Sequence, residues 1–117
     1  ESVGYQTRDL LEAMHADWPD CTRQAVLRVD GGLTANDWSM QFLSNILQTT
    51  VDRPKVLETT ALGAAWLAGM RAGVYPGHSE FSKNWALERR FCPDMRSSQS
   101  NLKYARWKKA VSATLSV

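Results

Sequence analysis

Leu27-Arg28-Val29-Asp30-Gly31-Gly32-Leu33-Thr34-Ala35-Asn36 decides how this chain reads. A short apolar run ends at an acidic residue. Two glycines follow, then a small-residue turn, then an amphipathic segment that opens at Asn36. This is the pattern of a strand feeding a tight glycine turn and then a helix N-terminus. Glycine reaches backbone angles that other residues avoid, and a turn bare of side chains lets the backbone approach a nucleotide closely. Taken locally, Gly31-Gly32 reads as an ordinary strand-to-helix turn and Asn36 as an ordinary N-cap.

Working outward, Gln24 to Val29 carries Val26, Leu27 and Val29 and reads as a short strand covered on both faces. Residues 36–47 read as a helix with Trp38, Phe42, Leu43, Ile46 and Leu47 as its buried stripe, capped by Asn36 or Thr34. Before the strand, Val3, Thr7, Leu10, Leu11 and Met14 recur at helical spacing over residues 2–17. Trp18-Pro19-Asp20 stops that helix. After the second helix, Thr50 to Arg53 reads as a second extended piece closed by Pro54. Residues 60–72 form a third helix rich in Ala and Gly, ended by Gly73 and Tyr75-Pro76-Gly77. Its internal Gly63 and Gly69 each cost roughly 1 kcal/mol relative to alanine, which points to close packing or to room for a ligand. Phe81, Trp85 and Leu87 suit a short helix, Glu88 to Phe91 an extended piece, and Met95 to Ser100 a polar loop. The last helix is expected over residues 99–115, with Leu102, Tyr104, Ala105, Trp107 and Val111 in apolar contact. The alternation of helix and strand indicates an α/β fold. Two short strands make a poor sheet alone, so the sheet is expected to be completed by chain not present here.

Composition narrows the function. The 117 residues suit one domain, and 44% apolar with 22% charged residues is ordinary for a globular protein. A net charge of +2 is too small to argue for nucleic acid. Lys103, Arg106, Lys108 and Lys109 read as a solvated helix face. No signal peptide and no bilayer-length apolar run is present in the sequence. Cys21 and Cys92 lack metal-like spacing; a disulfide stays open, with two free thiols in a reducing cytosol the simpler reading. His15 and His78 are isolated surface histidines. The chain opens at Glu1, inside a helical pattern, and a fragment or excised domain is the expectation.

A longer set of residues resembles a known family. Tyr5-Gln6-Thr7-Arg8-Asp9, Leu11-Glu12-Ala13-Met14, Leu27 to Gly32, Ala35-Asn36 and Met40-Gln41-Phe42 match in order. So do Arg53-Pro54, Thr60-Ala61-Leu62-Gly63-Ala64-Ala65, Leu67-Ala68-Gly69 and Trp107-Lys108-Lys109-Ala110-Val111. In these the chain is similar to the C-terminal part of the FGGY carbohydrate kinases. Asp30-Gly31-Gly32 and Trp107-Lys108-Lys109 favour the glycerol kinase branch over the pentulose kinases.

The resemblance implies a partial actin-like, ribonuclease-H-like ATPase domain, with residues 1–117 the C-terminal portion of the second, nucleotide-binding domain. It implies ATP-dependent phosphorylation of glycerol with Mg²⁺, in an intact enzyme that is cytoplasmic and homo-oligomeric. Carried over by position, Gly32 and Asn36 contact the nucleotide, Gly31 permits the turn and Ala35 approaches the adenine. Asp30 reads as a brace for the loop. No catalytic base and no metal ligand is assigned in this chain: the base, the glycerol-binding residues and the phosphate loops belong to earlier chain, so the fragment alone is expected to be inactive. Glu12, Asp37 and Glu58 read as surface charge. Trp38 and Ser39 depart from the family pattern, and the 94–100 loop is less acidic than expected. Another FGGY sugar kinase and a non-catalytic nucleotide-binding module are the alternatives.

Overall fold

The computed structural model describes residues 1–18, 26–81, 83 and 85–117. In chain order the elements are α1 (Ser2–Asp17), β1 (Leu27–Arg28), a 3-10 turn (Gly32–Ala35), α2 (Asp37–Leu47), β2 (Val51–Pro54), α3 (Thr59–Arg71), α4 (His78–Phe81), β3 (Leu87–Phe91) and α5 (Ser97–Leu115). The strands form a mixed sheet in the order β1-β2-β3. β1 runs parallel to β2, with Leu27 opposite Val51; β3 runs antiparallel, with Phe91 opposite Val51 and Arg90 opposite Asp52. The α/β expectation holds, with a third strand supplied by the 88–91 region.

α2 is the centre of the molecule because it is apolar on two sides. One side places Met40 and Leu43 against Val51 and Phe91 of the sheet. The other places Phe42 and Ile46 against Tyr5 of α1 and Tyr104 of α5, with Trp107 packed on the outside. The result is a sheet, a central helix and an outer pair of helices. Ile46 is fully buried, so Ile46→Ala should cost about 2–5 kcal/mol through lost burial and the cavity left behind. α2 ends at Gln48, which takes a left-handed conformation (φ 51°) and caps the chain before β2.

Several expectations are corrected. The buried face of α1 is not Val3, Leu10 and Met14, each at least half exposed, but Gly4 and Tyr5. The ring of Phe42 lies against Gly4 so closely that a Cβ there would sit 2.7 Å from it, and that approach sets the helix orientation. Trp38 is outside the buried stripe at 58% exposure and stacks on Phe42 from the solvent side. Ser97 to Ser100 are the first turn of α5, not loop, and Ser100 is fully buried. Trp85 is in no helix, and Leu87 begins β3. β1 is an edge strand with Val26 exposed rather than a strand covered on both faces. Gln24, Ala25, Cys21 and the Pro19-Asp20 stop lie outside the described residues.

No residue of α3 is buried. Its Gly69 is explained by packing: the Tyr75 ring folds back onto it. Trp66 donates its indole N–H to the Pro76 carbonyl and stacks on Phe81.

Candidate functional site

Gly31, Gly32, Ala35 and Asn36 fall together on the single turn that joins β1 to α2. Gly31 has φ 87°, where a Cβ is strongly disfavoured, so glycine is required there. Gly32 is different. Its φ is ordinary, and a Cβ built on it meets nothing within 4 Å. The protein itself would tolerate a side chain at Gly32; what glycine provides there is bare, exposed backbone. Ala35 and Asn36 are also exposed, and Gly31 is half-buried.

The turn is braced from several directions. The Gly31 N–H donates to the Leu57 carbonyl over 2.9 Å. The Thr34 N–H and hydroxyl both donate to the Gly31 carbonyl, at 3.0 and 2.6 Å. Thr59 donates its hydroxyl to the Asp30 carboxylate, so Asp30 braces the loop as read from the sequence. Between Asn36 and Thr34, the cap is Asn36, whose Oδ1 accepts from the Ser39 N–H at 3.0 Å. Its Nδ2 has no partner among the described residues.

A set of charged residues behind the turn escaped the sequence reading. Arg53, on central strand β2, is only 7% exposed. Its Nη1 donates to the Thr34 carbonyl and to Asp37 Oδ1, both at 2.8 Å, and its Nε donates to Glu88 Oε2 at 2.6 Å. Arg89 of β3 donates to the other oxygen of Asp37. Arg53 and Arg89 are direct cross-strand partners, and two like charges in that relation repel. Asp37 lies between them and bridges both, and Glu88 supplies the second negative charge that balances the pair. The Arg53 hydrogen bond, opposed by burial and aided by the Arg89 charge, holds the Asp37 carboxyl below its usual range. Asp37 is thus a surface charge, as expected, but an organised one: its side chain is 55% exposed and paired with two arginines at the α2 N-terminus, and its sign suits the positive end of the helix. The available signal was Arg-Pro in a short strand with Asp one residue after the cap, and neither reveals a contact partner.

A shallow depression of about 160 Å³ opens beside the turn, lined by Leu33, Trp38 and Ser39 on one side and Val3 and Gly4 on the other. A larger open depression lies between α1 and the end of α2, lined by Arg8, Glu12, His15 and Gln48, and neither depression is lined by Gly31, Gly32, Ala35 or Asn36. Among the described residues no three His, Cys, Asp or Glu side chains converge as a metal site. Glu12 pairs with Arg8 and lies 3.7 Å from Lys108, so it serves helix contacts. Cys92 is free and exposed.

Residues 1–72 match the C-terminal domain of the FGGY family of carbohydrate kinases. The glycerol kinase of Roseobacter denitrificans is 64% identical over 115 residues, covering 98% of this chain and 23% of that protein. That of Cereibacter sphaeroides is 65% identical over 117 residues, covering 100% of this chain and 24% of that protein. Among solved structures, the crystal structure of Plasmodium falciparum glycerol kinase with ADP superposes with a TM-score of 0.76 at 32% identity, over 97% of this chain and 22% of that one. The chain therefore spans about a quarter of the length of the curated relatives it matches.

Proposed function

The chain belongs to the FGGY family of carbohydrate kinases, and on that footing we propose that it is the C-terminal portion of a glycerol kinase. The intact enzyme transfers the γ-phosphoryl group of ATP to glycerol, giving sn-glycerol 3-phosphate and ADP. The observation that carries the reading is identity above 60% to glycerol kinases across nearly the whole chain. In this reading residues 1–117 lie on the nucleotide side of the second kinase domain.

The turn fits a nucleotide in its chemistry. Exposed backbone at Gly32, a small side chain at Ala35 and the free Nδ2 of Asn36 offer close approach and one polar donor. Adenosine is the half of ATP they would receive. In this reading Mg²⁺ is held by ligands outside this chain. Phosphoryl transfer also needs positioned phosphate-binding groups and a proton acceptor, and this reading assigns these and the glycerol site to earlier chain. None of the helices described is long and apolar enough to cross a membrane. We place the intact enzyme in the cytoplasm as a homo-oligomer; cell fractionation and light scattering on the purified enzyme check both.

The decisive experiment purifies the protein from its complete reading frame and follows glycerol 3-phosphate formation with ATP, using pentuloses and hexuloses as competing acceptors. Glycerol-dependent ADP release with preference for glycerol is expected. Preference for a pentulose would move the chain to another branch of the family, and ATP binding without any acceptor turnover would leave a nucleotide-binding module.

A further inference from the structure

The strongest unassigned feature is the guanidinium of Arg53. It reaches both ends of the segment between the glycine turn and α2, bonding the Thr34 carbonyl within the turn and the Asp37 carboxylate at the first helical residue. Glu88 holds it from behind, from the neighbouring strand, and the Phe91 ring lies 5.2 Å from its Cζ. The Thr34 carbonyl is in turn coupled to Gly31, because both the Thr34 N–H and its hydroxyl bind the Gly31 carbonyl. Movement of Arg53 therefore moves the turn.

We infer that Arg53 is a positioning residue for nucleotide binding: it fixes the 31–36 turn against the sheet at the height ATP requires. The inference rests on the proposed reading that this turn meets the nucleotide. Arginine suits the task where lysine does not. A planar fork donates to three acceptors in fixed directions, and an ammonium on a flexible stem cannot hold the same three together. Arg53 touches no substrate in this role. It acts through Thr34 and Gly31.

The test uses the intact enzyme carrying Arg53→Lys, Glu88→Gln and, as a reference, Gly32→Val. Arg53→Lys should raise KM for ATP by about tenfold, the scale of one charge-assisted hydrogen bond, with KM for glycerol unchanged. Glu88→Gln leaves the Thr34 bond in place and should raise KM for ATP by a smaller factor in a fully folded enzyme. It decides the question if Arg53→Lys fails to fold. A purely structural Arg53 would lower the melting temperature and leave the KM for ATP of folded variants at the wild-type value. If Gly32→Val abolishes ATP affinity while folded Arg53→Lys and Glu88→Gln keep it, the positioning role is overturned and the nucleotide reading stands. If Gly32→Val also keeps ATP affinity, both fall.

Discussion

The Trp107 indole N–H donates to Asp9 Oδ2 across 2.8 Å, joining the last helix to the first. The Tyr104 hydroxyl donates to the other oxygen of the same carboxylate at 2.5 Å. Tyr5 stacks on Trp107, with ring centroids 5.4 Å apart. Burial pushes the Asp9 carboxyl upward, and the bonds from Tyr104 and Trp107 outweigh it, leaving a net downward shift. One carboxylate thus ties α5 to α1, beside the apolar packing of Tyr104 and the Arg8 bonds to Ser100 and Asn101.

Asp9→Ala should therefore destabilise the protein by about 1–3 kcal/mol, because two donors lose their acceptor together. Tyr104→Phe should cost about 1 kcal/mol, since the ring keeps its place under Arg8. Urea unfolding of the purified protein checks both. Equal, near-zero effects would mean that apolar packing and the Arg8 and Ser100 bonds hold α5 without Asp9.

The two glycines of the turn should separate cleanly. Gly31→Ala places a Cβ on a backbone at φ 87°, ψ 167°, a region almost confined to glycine, and should cost about 1–3 kcal/mol of stability. Gly32→Ala meets open space and should leave stability unchanged. Gly32→Val in the intact enzyme should block ATP binding by occupying the ligand's space while the melting temperature holds. A folded Gly32→Val enzyme with normal ATP affinity would reduce the pair to a turn.

Asn36→Ala removes a helix cap and the free amide at once. A stability loss of about 0.5–2 kcal/mol is expected for the cap. KM for ATP should rise several-fold, the scale of one neutral hydrogen bond, with KM for glycerol unchanged. Asn36→Asp separates the two effects: it restores the cap without the Nδ2 donor. Recovery of both stability and KM by Asp would show that the residue acts only as a cap.

Acid should weaken the sheet in a defined window. The Arg90 guanidinium grips Asp52 with two bonds of 2.7 Å, and this fork foremost, with burial opposing it, holds the Asp52 carboxyl below its usual range. Asp37 shifts in the same direction. A depressed folded-state pKa contributes stability that is complete above the unfolded value of about 3.9 and is lost as pH falls through the folded value. Urea midpoints should be flat near neutrality and fall below about pH 4. Asp52→Asn should flatten that acid limb. The same slope in the variant would mean that other carboxylates carry the dependence.

The 117-residue chain taken alone should expose an unusual apolar surface. Leu62, Leu67, Met70 and Val74 are each at least 39% exposed on or just after α3, and this much exposed apolar side chain favours association. Light scattering should show oligomers, and an apolar dye should bind. The same preparation should make no glycerol 3-phosphate. A monomer without dye binding, or clear ATP- and glycerol-dependent product, would count against the reading of this chain as part of a larger kinase.

The features legible in the sequence are those whose physics is local. α1 spans Ser2–Asp17, the range that helical spacing predicts. The Gly31-Gly32 turn and the Asn36 cap form within a few residues of backbone, from a glycine-only φ and one side-chain acceptor. The start of α5 is not legible in the sequence because Ser97 to Ser100 are polar in composition, and only contact with α1 and α2 buries Ser100.

The sequence alone thus determined the α/β order, the glycine turn and, through ordered motif likeness, the family. The tertiary structure decided which faces are buried and which charges meet. Val3, Leu10 and Met14 are the more apolar side of α1, yet Gly4 and Tyr5 face inward because Phe42 needs a neighbour with no Cβ. Thr34, Asp37, Arg53, Glu88 and Arg89 come from four separate segments and form one bonded set. No spacing rule links them, since helical and strand periodicities act over a few residues, and side chains from distant segments acquire partners only once the chain has packed.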